Sequence, residues 1–342
     1  MKPLSTNAFR PMNKHAEQRR RTLAALCASV LAPSAALAQQ ATKVFRIGSA
    51  YLAKSASTRP YEDAFLDALR ELGFERGRNL IYDVRNADGD PARLAALIDE
   101  LLAQKPDLLV GIEQVAQVMR SKTSTIPIVL TSSSDPIAAG LAKTLAQPGG
   151  NVTGIAALYE LLATKHIEIL TEFMPKMKSV ALLLDPGVPG TVNIERHARE
   201  AATIKRLKLF VYRAADRAAL AQAFAAMKRD GSDGLVSASG SGIHFGERQF
   251  IADSALSLRL PCSGVFAANA EAGCLFSYGA SLHGMFRQAA THAARILKGA
   301  NPANLPIEQP TRFEMVINGK TAKMLKLKLP QTALIRAERV IE

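Results

Sequence analysis

The sequence predicts an α/β chain of two Rossmann-like lobes, each built on a parallel sheet. Three observations predict it. Short apolar, β-branched runs alternate with amphipathic helical stretches along most of the chain, and parallel strands require such crossover helices. The alternation pauses once, at Pro148-Gly149-Gly150-Asn151-Val152-Thr153-Gly154, and then resumes. Strand ends in both halves carry small polar residues, where open parallel sheets bind ligands. The 342 residues suffice for two domains, and 48% apolar with 21% charged residues is the balance of an ordinary globular chain.

In the first half, Val44–Gly48 is the first expected strand. Tyr61–Leu72 follows as a helix, with Phe65, Leu66, Leu69 and Leu72 at helical spacing and Gly73 as its stop. Asn79–Arg85 is a strand. Asp90-Pro91 opens a second helix as cap and first residue, and Leu94, Leu97, Ile98, Leu101 and Leu102 form its buried stripe. Leu108–Ile112 is a strand leading into a helix that ends at Lys122. Ile126–Leu130 then runs into four hydroxyls, Thr131 to Ser134. Asp135-Pro136 repeats the cap-plus-proline signal, which predicts a helix over Pro136–Ala146.

After Gly154 the same alternation predicts helices at His166–Phe173, Ile194–Lys205, Asp216–Lys228 and Gly246–Leu258. The matching strands are Ser179–Leu184, Leu207–Arg213, Gly234–Ala238 and Pro261–Val265. Cys274–Tyr278 is strand-like, Ser281–Lys298 helical, Leu305–Gln309 extended and Arg312–Ile317 a strand.

The run from Ile126 to Gly154, with its serine turn and Gln147-Pro148-Gly149-Gly150-Asn151-Val152-Thr153-Gly154, resembles the substrate-binding proteins of ABC importers, a family that includes aromatic amino-acid binders. The likeness continues in Glu71-Leu72-Gly73-Phe74, Gly77-Arg78-Asn79, Glu271-Ala272-Gly273, Ser277-Tyr278-Gly279, Arg295-Ile296-Leu297-Lys298-Gly299 and Phe313-Glu314-Met315-Val316-Ile317-Asn318. It implies a type I periplasmic binding protein, whose two lobes are joined by a three-segment hinge. The crossings are then expected at Asn151–Gly154, near Phe276–Gly279, and at Leu305–Gln309. One lobe would hold residues 44–153 plus 279–306, the other 154–276 plus 309–342. The resemblance also implies a small-molecule solute of the amino-acid or related small-carboxylate class, and the importer's permease and ATPase subunits as partners of a monomer.

Residues 1–38 read as a signal peptide. Arg19-Arg20-Arg21 precedes an apolar run, Thr22–Ala32, and Ala36-Leu37-Ala38 precedes Gln39. Export to the periplasm follows, by the general or the twin-arginine route, and the run is too short for a membrane anchor. This leader holds Lys2, Arg10, Lys14, Arg19, Arg20 and Arg21 against Glu17, so +8 of the net +13 belongs to the remainder. No basic cluster with interleaved aromatics accompanies that charge, so nucleic acid is not an expected partner. Of the three cysteines, Cys262 and Cys274 follow the leader. In an oxidising compartment they either pair as a disulfide or stay as two buried thiols.

Strand ends supply the ligand-binding candidates. They are Ser49, Tyr51, Glu113 and the turn of Thr131, Ser132, Ser133 and Asp135 in the first half, with Asp185, Ser241, His244, Phe245 and Phe266 in the second. Glu271 lies near the second crossing. Neutral hydroxyls plus the free N–H groups of the helix expected after Asp135 can hold a carboxylate. Glu113 or Glu271 can meet an ammonium, or both can stand as exposed loop acids. Tyr51, Phe245 and Phe266 can stack on an apolar ligand or serve as packing. Asp185 stands where the family more often has Asn. No metal-ligand spacing, Walker loop, G-x-S-x-G or H-E-x-x-H occurs, so neither cofactor, metal nor catalysis is expected. A sensor subunit and a hydrolase on the same scaffold remain the alternative readings.

Overall fold

The structure is a computed structural model, described here over residues 43–342; the expected signal peptide lies outside the described residues. Strands β1 (Phe45–Tyr51), β2 (Leu80–Asn86), β3 (Leu108–Ile112), β4 (Ile128–Ser132) and β5 (Val152–Gly154) alternate with helices α1 (Ser55–Glu71), α2 (Leu94–Ala103) and α3 (Glu113–Lys122). They form one parallel sheet in the order β2-β1-β3-β4-β5.

The second half runs α4 (Glu160–Phe173), β6 (Ser179–Leu184), α5 (Thr191–Ile204), β7 (Lys208–Arg213), α6 (Arg217–Asp230), β8 (Leu235–Ser237), α7 (Gly242–Gly246), α8 (Arg248–Ser257), β9 (Cys262–Gly264), α9 (Ala267–Glu271) and β10 (Phe276–Ala280). Helix α10 (Leu282–Leu297) then precedes β11 (Phe313–Asn318), α11 (Gly319–Met324), α12 (Gln331–Arg336) and β12 (Arg339–Ile341). The second sheet has the order β12-β11-β10-β9-β8-β6-β7, parallel except where β11 runs antiparallel to β10.

Burial explains the layering. On one face of the first sheet Leu94, Ile98 and Leu101 of α2 pack with Val115 and Met119 of α3 over Leu109, Ile128 and Leu130. On the other face, Phe65 and Leu69 of α1 share a core with Phe286, Ala289, Ala290 and Ala293 of α10, so a helix late in sequence completes the first lobe.

Two expectations are corrected. The helix over Pro136–Ala146 does not form. Asp135 Oδ1 does accept from the N–H groups of Ile137 and Ala138, as a cap should, at 3.1 and 2.9 Å. The chain makes a single turn, and Gly140 then takes a left-handed φ of 70° that ends it. Capping chemistry therefore starts a turn that Gly140 stops.

The second crossing is also displaced. Phe276–Gly279 lies inside β10, hydrogen-bonded to β9 and β11, because those residues alternate into the second sheet; the chain leaves only at Ala280–Ser281. Val152–Gly154 likewise pairs with β4 as the edge strand of the first sheet before the chain leaves it. Beside this exit, Glu308 N–H donates to Gly154 O and Ala156 N–H donates to Glu308 O, both at 2.9 Å, which ties two connections together.

Cys262 and Cys274 are joined by a disulfide, with Cα atoms 4.9 Å apart. No described helix is long and apolar enough to cross a membrane.

Candidate functional site

The carboxyl ends of β1, β3 and β4 face those of β6, β8 and β9 across a narrow gap. Two joined compartments lie in it, sharing Ile112, Ser132 and Gly240 as a common wall.

The first is an apolar chamber of about 50 Å³. Tyr51, Tyr61 and Phe286 approach it from the first lobe and Phe245 and Phe266 from the second. These rings meet edge-on or tilted: Tyr61 lies 5.7 Å from Phe245 and 5.8 Å from Phe286, and Phe245 lies 5.6 Å from Phe266. The Tyr51 hydroxyl is spent on Tyr82, 3.2 Å away, and burial pushes its pKa up to about 12, so Tyr51 offers the chamber a neutral face.

The second compartment is polar and much smaller, about 10 Å³, between Glu113, Gln114, Ser133 and Ser134 on one side and Val188 and Ser239 on the other. The register of β3 against β4 shifts between Gly111 and Ile112, immediately before Glu113. Glu113 Oε2 accepts from Ser133 Oγ and, at 2.8 Å, from Asp135 N–H. The serine turn thus holds a carboxylate of its own chain. Glu113 Oε1 is buried without a hydrogen-bond partner, as is Ser134 Oγ. Burial raises the Glu113 pKa above the usual carboxylate value, and the bonds from Ser133 and Asp135 only partly oppose it.

The lobes touch around these compartments. Ser132 Oγ and Tyr159 OH share a hydrogen bond of 2.6 Å. Gln114 Nε2 donates to Asp185 Oδ2 at 3.2 Å, and Gly242 N–H donates to Gln114 Oε1 at 3.2 Å. Asp185 Oδ2 also accepts from Ser241 Oγ, and Oδ1 accepts from Gly187 N–H at 2.8 Å. His244 donates from Nε2 to Ala214 O at 2.8 Å, so Nδ1 accepts from Ser239 Oγ at 3.4 Å; both ring nitrogens are engaged in holding the loop after β8. Burial lowers the His244 pKa, with Asp185 pulling the other way.

The expected residues therefore divide. Tyr51, Ser132, Phe245 and Phe266 line the apolar chamber, and Glu113, Ser132 and Ser133 the polar compartment. Ser49 is packed inside the sheet, donating to Val110 O at 3.3 Å, and Thr131 is fully buried near the end of β4. Asp135 caps its turn, while Asp185, Ser241 and His244 form the network behind the polar wall. Glu271 is ion-paired with Arg339 in a separate surface cavity, because β12 brings that arginine alongside.

Sequence reasoning missed Tyr61, which carried only a helical-core signal, and Tyr159, which carried none. Gly240 has a φ of 61°, and a Cβ there would lie 2.2 Å from the Tyr159 ring.

The model of the ABC transporter substrate binding protein family matches residues 53–341. A crystal structure of a conserved domain protein from Vibrio cholerae is similar, with 28% identity, 87% of this chain and 100% of that chain covered, and a TM-score of 0.81. A structure from Streptococcus pneumonia in complex with L-Trp has 26% identity, the same coverage and a TM-score of 0.81. The tyrosine-binding protein of Clostridioides difficile is 31% identical over 138 residues, a match spanning 40% of this chain and 39% of that protein. The two parallel-dominated sheets are those of type I periplasmic binding protein structures. With the match running through nearly every described element, this chain belongs to the ABC transporter substrate binding protein family.

Proposed function

We propose that the protein is the exported, periplasmic solute-capturing component of an ABC importer, and that its solute is an α-amino acid with an aromatic side chain. The observation that carries this is the joining of two unlike compartments. An apolar chamber walled by five aromatic rings opens onto a polar end where Glu113 Oε1 is buried without a partner. Buried polar atoms are almost always paired, so an orphan carboxylate oxygen in a cleft asks for a donor from a ligand. The relatives bound to L-Trp or named for tyrosine support the same choice.

Capture works by a shift between open and closed arrangements of the lobes. The chamber as it stands is smaller than an aromatic ring needs, so a ligand enters when the halves part about their three connections. It favours closure by touching both halves at once. A micromolar site needs about 8 kcal/mol net, within reach of a few hydrogen bonds and one buried ring. The closed form then presents a surface for the permease, and the ATPase drives release into the membrane channel.

A thermal-shift screen of all common amino acids against sugars and polyols tests this. L-Trp, L-Tyr or L-Phe should raise the melting temperature, since a ligand that binds only the folded state stabilises it. A shift with sugars alone sinks the reading. Ser132→Ala combined with Ser133→Ala should weaken the hit while leaving the protein folded.

A further inference from the structure

The polar compartment holds a carboxylate and no cationic side chain. Ser133 Oγ donates to Glu113, Ser132 Oγ is engaged with Tyr159, and Ser239 Oγ with His244. Both ends of the Gln114 amide are held by the second lobe. The Asp135 N–H turns toward Glu113 as well. The anion-holding turn at the end of β4 is thus already filled by the Glu113 carboxylate. Among the described residues lining the two compartments there is no lysine, arginine or histidine. Ser134 Oγ is the one lining serine hydroxyl without a partner.

An ionised ligand carboxylate brought into this space would meet the Glu113 charge and no cationic side chain, with the Ser134 hydroxyl, the second N–H of Gln114 Nε2 and one hydroxyl hydrogen of the Ser132–Tyr159 pair as its side-chain donors. A buried charge is disfavoured unless it is paired, and like charges in one site repel. A ligand ammonium would find the opposite: the unpartnered Glu113 Oε1, with charge-assisted hydrogen bonding that is stronger than a neutral pair.

We infer that the cleft recognises its ligand through the ammonium group and the ring, with the carboxylate dispensable, so that primary arylalkylamines are ligands in their own right. This rests on the aromatic reading of the chamber above. Glu113 is the specificity-determining residue. It rejects aromatic acids and accepts aromatic amines, and it tolerates amino acids because they carry the same amine.

Titration calorimetry of the mature protein with three probes of one ring tests the idea: L-phenylalanine, 2-phenylethylamine and 3-phenylpropanoate. The amine should bind within about 10-fold of the amino acid, and the acid at least about 100-fold more weakly, the range set by losing one buried charged partner. Glu113→Gln keeps an acceptor for Ser133 and Asp135 while removing the charge. It should weaken the amine about 30-fold or more and narrow the gap to the acid, with melting monitored to show that the variant is folded. Binding of the amino acid and the acid without the amine overturns the inference and leaves the aromatic reading standing. An amine affinity unchanged in Glu113→Gln overturns it too. If none of the three binds, the same trio built on the indole and phenol rings is read in its place, and failure of every ring sinks the aromatic reading and takes this one with it.

Discussion

Gln114 Nε2 donates to Asp185 Oδ2 across the gap between the lobes, and the same side chain accepts from Gly242 N–H. One amide therefore closes two hydrogen bonds that exist only while the halves are together. Replacing Gln114 by Ala removes both. At about 1 kcal/mol net for each bond, the closed form should lose roughly 10- to 30-fold in population relative to the open one. Small-angle scattering of the ligand-free protein should show a larger radius of gyration for the variant. An unchanged radius would mean that the latch does not hold the lobes.

Gly240 is expected to be intolerant of even a methyl group. Its φ of 61° is left-handed, and the added Cβ would lie 2.2 Å from Tyr159 Cε2. Gly231 offers the control, since its φ is 70° but nothing lies within 4 Å. Gly231→Ala should cost about 1–2 kcal/mol for the backbone alone, and Gly240→Ala about 2–4 kcal/mol, with ligand binding lost as Tyr159 is pushed off Ser132. Urea unfolding of the two variants side by side measures the difference.

His166 should make the protein lose stability on the acid side of neutrality. It is fully buried, donating from Nε2 to Tyr278 O at 2.7 Å and accepting at Nδ1 from Ser263 Oγ at 2.9 Å, and burial lowers its pKa to about 4. The unfolded imidazole takes its proton near pH 6.5. Between those values the unfolded chain binds more protons, so stability is full above about pH 6.5 and falls as the pH drops toward 4. The total is about 3 kcal/mol. Urea midpoints at pH 7 and 4.5 should reveal the fall, and His166→Gln should flatten that part of the profile.

Reducing the Cys262–Cys274 disulfide, which closes a loop with a sequence separation of 12, should lower stability by about 3 kcal/mol in the chain-entropy account. Calorimetry with and without reductant should show a drop on the order of 5 °C. No change would show that the pair contributes nothing to the folded state.

Much of the fold was legible because its signals are local and periodic. The strands Leu108–Ile112 and Ser179–Leu184 and the stripe on Leu94–Leu102 emerge as read, since burial enforces what the pattern states. The failures are those in which a distant or single residue overrides a local pattern. Asp135-Pro136 carries a sound helix start, and Gly140 ends it after one turn. Phe276–Gly279 looked like a passage because β11, its antiparallel partner, lies some 35 residues further on in the chain. The site was harder still. Glu113 and Ser133 are separated by 20 positions, and no sequence signal says that the serine turn holds a protein carboxylate instead of one from a ligand. Tyr159 and Tyr61 gain a role only from the opposite lobe.

The seam between the halves is lined by glycines where a side chain would collide: a Cβ at Gly190 would lie 2.5 Å from Ser134 Oγ, and one at Gly242 would lie 2.8 Å from Ile112 Cδ1. Tyr61, Phe266 and Phe286 line the chamber with side chains whose shortening adds space and creates no collision. New solute preferences should therefore be obtainable by randomising those three aromatics. Libraries built on the glycines would instead return proteins jammed ajar.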